Sequence, residues 1–162
     1  MTAQIANGGY KIYPKIVMDD ENKISPIDKF TPLYKNSKNI KIVQDAMFAS
    51  TNEVRGTSYR SRIDDPKYQF AGKTGTAQVK KITERDRELD LKTFQIPYEE
   101  RDHALYIAYG PYKNPRYAVS ILVEHGGNGS TTAAPMAKKL FKTIIDRHQL
   151  RESINNKKYL DI

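Results

Sequence analysis

Apolar positions along this chain fall into two periods, and the change of period marks out its elements. From Ser37 to Val54 they recur at helical spacing: Ile40, Val43 and Met47 repeat every three to four residues, with Ile42, Ala46 and Ala49 beside them. Ser37 is the expected N-cap and Gly56 the stop. A second helix is predicted from about Thr131 to His148. Its apolar stripe is Met136, Leu140, Ile144 and His148, widened by Phe141 and Ile145, with Pro135 tolerable only in the first turn. Strand patterns cover Lys67–Val79, His103–Tyr109 and Arg116–Glu124. Between the last two, Gly110 to Pro115 has the Gly, Pro and Asn content of a hairpin loop.

The remaining segments are less regular. Met1 to Gly9 reads as the last turns of a helix with a glycine stop, so the chain is expected to be a fragment with its neighbours upstream. Tyr10–Met18 is a short β-rich stretch in which Pro14 argues for an edge or bulge, and Asp19–Asn36 is a polar loop. Lys80–Asp102 is a charged connection, with a solvated loop or short exposed helix at Glu84–Glu88. Arg151–Ile162 is a polar, frayed tail. Two strands joined by a short turn must be antiparallel. The expected class is therefore α+β, an antiparallel sheet packed by helices.

Composition narrows this little. The 162 residues suffice for one cored domain, and the absence of cysteine excludes disulfides and thiolate metal sites. No apolar run is long enough to span a bilayer, and Met1 opens no secretory signal. The net charge of +8 is scattered, without a basic helix or arginine-rich arm, so nucleic acid is not an expected partner. His103, His125 and His148 are well separated in sequence and read as structural, so neither metal nor cofactor is expected.

The chemistry concentrates in Phe70-Ala-Gly-Lys-Thr-Gly-Thr-Ala-Gln-Val79. Gly72-Lys73-Thr74 has the letters that close a phosphate-binding loop. That loop needs a glycine five positions earlier, where Lys67 stands, and a helix afterwards, where a strand continues. Gly126–Ser130 could receive an anion at a helix start, but it lacks the third glycine of a dinucleotide fingerprint and reads as a turn. Taken as a strand, Lys73 sets a cation beside the hydroxyls of Thr74 and Thr76. Such a group suits a carboxylate. Gly75 leaves room for a ligand backbone, the strand edge could pair with an extended peptide, and an N–H just after Gly75 could stabilise an oxyanion.

These residues resemble the class B, elongation-type penicillin-binding proteins, serine transpeptidases that cross-link peptidoglycan and carry Lys-Thr-Gly as a signature. The likeness extends to Met1–Gly9, Arg101-Asp-His-Ala-Leu105, Asn114-Pro-Arg-Tyr-Ala-Val119 and Val123-Glu-His-Gly-Gly127, in the family's order. It implies a partial penicillin-binding, serine β-lactamase-like fold over residues 1–150, with 151–162 as tail. It implies catalytic roles for Lys73 and Thr76, and substrate binding by Lys73, Thr74, Gly75 and Thr76. The ligands implied are the D-alanyl-D-alanine end of a stem peptide and β-lactams. It further implies a membrane-anchored parent on the periplasmic side of the bacterial inner membrane, working with elongation-complex membrane proteins.

The departure is the nucleophile. No serine has lysine three places on: Ser37 meets Ile40, Ser58 meets Ser61, and Ser130 meets Ala133. Ser-x-Asn at Ser37-Lys38-Asn39 and Ser153-Ile154-Asn155 lies on the wrong side of the stretch that the motif should precede. Without serine and its base there is no activated nucleophile, so the chain alone is expected to be inactive. The alternative is a non-catalytic basic module whose strand edge binds an anionic polymer or peptide.

Overall fold

The computed structural model describes residues 1–14, 31–81, 84–89 and 91–160. Its elements are α1 (Thr2–Ala6), α2 (Ser37–Asn52), β1 (Ala71–Ala77), α3 (Glu84–Leu89), β2 (His103–Gly110), β3 (Tyr117–Val123) and α4 (Ala134–Leu160). The strands form one antiparallel sheet in the order β1-β2-β3, which is the expected α+β arrangement. Ala71 lies opposite Tyr109 and Ala77 opposite His103, while Ala104 lies opposite Val123 and Gly110 opposite Tyr117. Both outer strands, β1 and β3, keep one edge unpaired among the described residues.

Two layers of helix flank the sheet. On one face α4 packs against Ala104, Tyr106 and Ala108 of β2, and Phe141 stacks on Phe70 with ring centroids 4.9 Å apart. Ala133, Ala134 and Ala137 bring the start of that helix close to the strands, and Ile63 and Ile145 complete the cluster. On the other face a thinner layer is built from Met47, Ala71 and Tyr109, with Ile5, Ala6, Phe48, Ile107 and Tyr112 partly buried around them. The Gln44 amide donates to the Ile5 carbonyl at 2.7 Å and ties α2 to α1.

Several boundaries differ from the pattern-based expectation. The N-cap of α2 is Asn36, whose side chain accepts from the Lys38 N–H at 3.0 Å; Ser37 is already helical. The first strand starts at Ala71, because Lys67 and Tyr68 close a turn on Asp65. Of the strand expected from Tyr10, residues 10–14 are described, and among them only Tyr10 pairs, in a single bridge to Pro32; residues 15–18 and most of the following loop lie outside the described residues. The final helix continues to Leu160 and does not stop near His148. No glycine or proline interrupts it there, and Glu152 draws in His148 at 2.9 Å and Arg116 at 3.2 Å.

The buried stripe of α4 also differs. Ala134, Ala137, Phe141 and Ile145 face the core, whereas Met136 and Leu140 are 47% and 38% exposed. Large apolar residues mark a stripe only where space exists for them, and here the close packing of helix on sheet selects alanine. Phe141→Ala is therefore expected to cost about 3–5 kcal/mol in urea unfolding, and Met136→Ala under about 1 kcal/mol. Equal costs would place the helix in the wrong rotation.

Candidate functional site

Lys73 sits in the third position of β1, opposite Ile107 of β2. Strand alternation puts Ala71, Lys73, Gly75 and Ala77 on the face of α1 and α2, and Gly72, Thr74 and Thr76 on the face of α4. The lysine crosses this divide. Its ammonium turns back to the strand and donates to the Thr74 carbonyl at 2.9 Å and to the Thr74 hydroxyl at 3.3 Å. Cation and hydroxyl thus meet on the unpaired edge of β1. Thr76 lies exposed further along that edge, and Gly75 between them adds no side chain. All four residues singled out from sequence are therefore on one strand edge.

What positions that edge is a tyrosine. A Cβ on Gly72 would lie 2.3 Å from the Tyr106 hydroxyl, so only glycine lets this ring pass beneath the strand. The Tyr106 side chain is fully buried, and its hydroxyl meets Thr51 at 2.9 Å and Ser58 at 3.0 Å. One side chain from β2 thereby fixes the end of α2 and the turn that follows it. Asn52 adds a second tie, its amide donating to the Phe48 and Phe70 carbonyls at 3.0 and 2.9 Å. Burial pushes the Tyr106 phenol above its ordinary value, against the opposing effect of the Ser58 and Thr51 hydrogen bonds.

The turn carries residues that sequence reasoning missed. The Thr57 hydroxyl lies 3.4 Å from that of Thr74 and 3.2 Å from that of Ser50, a polar file leading to Lys73. Ser50-Thr51-Asn52 also has the letters Ser-x-Asn. In the fold, however, Thr51 and Asn52 are spent on the Tyr106 and Phe70 ties, and only Ser50 reaches the site side. The signal available for Thr57 was its place just after Gly56, where the chain must turn back toward the strand.

Lys73 borders an open groove of about 620 Å³. Its floor is apolar, formed by Ile5, Ile42, Val43, Ala46 and Ile107, and Glu53 and Arg55 stand on its rim. Ile42 is 65% and Val43 41% exposed, although both belong to the apolar pattern of α2. A cation bordering an apolar trough suits a partner with an apolar body and an anionic or polar head.

The histidines are not all apart. His103 and His125 meet with ring centroids 4.8 Å apart, while His148 pairs with Glu152 on α4. Among the described residues no group of three side chains could hold a metal ion.

The penicillin-binding protein transpeptidase domain matches residues 1–145 of this sequence. The chain belongs to that family. The peptidoglycan D,D-transpeptidase MrdA of Salmonella typhimurium is 36% identical over 105 residues, 65% of this chain and 16% of that protein. The MrdA of Haemophilus influenzae is 39% identical over 101 residues, 62% of this chain and 15% of that protein. Among solved structures, penicillin-binding protein 2 of Pseudomonas aeruginosa in complex with WCK 5153 is similar with TM-score 0.63 and 30% identity, over 88% of this chain and 28% of that one. The complex between penicillin-binding protein 2 and MreC from Helicobacter pylori gives 0.53 and 33%, over 68% and 18%. The expected class B, elongation-type kinship thus rests on relatives of the penicillin-binding protein 2 type. The chain spans about a sixth of the length of the curated relatives it matches.

The Tyr106 tie makes a measurable statement. Tyr106→Phe removes a buried hydroxyl that serves two partners, and is expected to lower stability by about 1–3 kcal/mol at pH 7. The raised phenol also sets a sign. The unfolded chain releases this proton first, near pH 10, so the stabilising contribution is full below that pH and is lost as pH rises through the folded value. The alkaline fall in stability should be shallower in Tyr106→Phe, followed by chemical denaturation between pH 8 and pH 11.

Proposed function

We propose that this chain carries the substrate-binding strand of a peptidoglycan D,D-transpeptidase of the cell-elongation type. The observation that carries this reading is the meeting of the Lys73 ammonium and the Thr74 hydroxyl on the unpaired edge of β1, with Lys73 also bordering the apolar groove. The D-alanyl-D-alanine end of a stem peptide would extend along this edge, and a β-lactam would take the same place. Thr74 and Thr76 would hydrogen-bond the donor carboxylate, with Lys73 supplying the opposing charge. The Thr76 N–H would be one of two donors to the oxyanion, the other coming from the nucleophilic serine. Gly75 would keep the cleft open beside the strand.

The reaction needs a serine that this sequence does not offer with a lysine three places on. That serine would come from a segment outside these residues, and the groove beside Lys73 is where we place it. Its Oγ would bond to the carbonyl carbon of the penultimate D-alanine while its proton passes to a lysine base. The C–N bond would then break, and D-alanine would leave with the proton. An acceptor amine would next attack the acyl ester, forming the cross-link and returning the proton to serine. Lys73, facing this space, would help to move the proton and hold the carboxylate. No metal or cofactor is needed for these steps.

In this reading the working protein is anchored in the bacterial inner membrane and acts on its periplasmic side, through segments other than the described helices, none of which is long and apolar enough to cross a membrane. Elongation-complex membrane proteins are proposed partners; the similar penicillin-binding protein 2 from Helicobacter pylori forms a complex with MreC.

Acylation by a fluorescent penicillin tests the proposal. The product of the whole gene should label, Lys73→Ala should slow labelling by about a hundredfold or more, and the 162-residue chain alone should stay blank. A whole protein that never labels would overturn the reading and favour a non-catalytic module binding an anionic polymer or peptide. A labelled 162-residue chain would reveal a serine within it.

A further inference from the structure

The turn after β3 holds a strained residue. His125 has φ 52, a left-handed conformation that a side chain with a Cβ adopts at a cost. Two hydrogen bonds hold it there. Its N–H donates to Nδ1 of His103 at 2.9 Å, and its own Nδ1 lies 3.1 Å from the Arg101 carbonyl. The partners fix both tautomers: His103 accepts at Nδ1, and His125 donates from Nδ1 to a carbonyl. Two residues on, the Gly127 N–H donates to the Asp102 carbonyl at 2.8 Å. The Asp102 carboxylate meanwhile accepts from the Val79 N–H at 3.3 Å, just past the end of β1. Arg101, Asp102 and His103 therefore tie the turn and the end of the first strand to the same three residues.

The turn then delivers Gly129 to the sheet. This glycine is buried, and a Cβ on it would lie 2.6 Å from the Gly75 carbonyl oxygen and 2.4 Å from that of Leu105. Its backbone thus rests on Gly75 with no room to spare. The Gly75 carbonyl and the Thr76 N–H belong to one planar peptide. Whatever fixes that carbonyl aims that N–H.

We propose that His103 is a positioning residue for the oxyanion donor: through His125 it fixes the turn, and through Gly129 the turn sets the Gly75–Thr76 peptide plane. This inference rests on the transpeptidase reading for the meaning of the Thr76 N–H, but not for the mechanical coupling. The histidine itself touches no substrate in it. Its contribution is an acceptor at the Nδ1 position, supplied from the first residue of β2.

Two substitutions separate this from a general packing role. Asparagine places an oxygen where Nδ1 stands, whereas glutamine places its polar atoms further out. In the 162-residue chain, the amide NMR signals of Gly75 and Thr76 should shift in His103→Gln and return toward their original positions in His103→Asn. In the whole gene product, penicillin acylation should fall about tenfold in His103→Gln and stay within about twofold in His103→Asn. Gly75 and Thr76 signals unmoved in His103→Gln, or moved equally by both substitutions, would overturn the coupling. Unchanged acylation in His103→Gln, with those signals shifted, would overturn the role in positioning the oxyanion donor. A protein that never labels in its unsubstituted form would sink the transpeptidase reading instead, and the NMR comparison would still decide the coupling.

Discussion

The passage of the Tyr106 ring beneath Gly72 is the constraint on which the rest of this structure depends. It demands a residue without Cβ immediately before Lys73, and it places a buried hydroxyl where Thr51 and Ser58 can both reach it. A buried phenol without partners would be costly. With these two partners it joins the sheet, the end of α2 and the following turn into one unit. The turn in turn places Thr57 against Thr74. The chemistry proposed for the strand edge thus sits on a scaffold whose key contact is buried against the neighbouring glycine.

The two faces of the sheet are finished to different degrees. Alanines let α4 approach closely, and Phe70 and Phe141 are fully buried there. The face of α1 and α2 leaves Ile42 and Val43 exposed along an open groove. Apolar surface of this kind is normally covered when a protein works. Lys73 stands at that uncovered side, and a lysine is well hydrated only while the groove is open. Filling the groove would dry the surroundings of the ammonium and strengthen its attraction for a carboxylate. The proposed arrival of a serine-bearing segment would therefore do more than complete the reacting groups.

How far the sequence disclosed this depended on the range of the interactions. The strand, the hairpin and both long helices could be read because period and turn residues act locally, and the Lys-Thr-Gly-Thr site could be read because its residues are contiguous. The rotation of α4 was not legible: Met136 and Leu140 look like core residues until the close approach of the sheet is known, after which alanine fits better. The role of Thr57 was hidden for a similar reason, since Tyr106 brings it to the strand from 17 residues upstream of Thr74. His103 and His125, read as separate structural histidines, touch because antiparallel pairing brings the start of β2 beside the end of β3.

That pairing gives the histidines their leverage. An edge strand has neighbours on one side only, so the plane of each peptide along its free edge is held less firmly than in the middle of a sheet. An oxyanion donor gains from the opposite condition, because a preorganised N–H spends no energy reorienting when charge develops. In the proposed reading the fold resolves this by supporting the Gly75–Thr76 peptide from the α4 side with the backbone of Gly129, and by holding that turn through a residue in a strained conformation. Support by backbone is stiffer than support by a rotatable side chain. It also leaves the free edge clear for a peptide to bind. The glycines at 75 and 129 thus answer one requirement together: the strand must be open in front and closely backed behind.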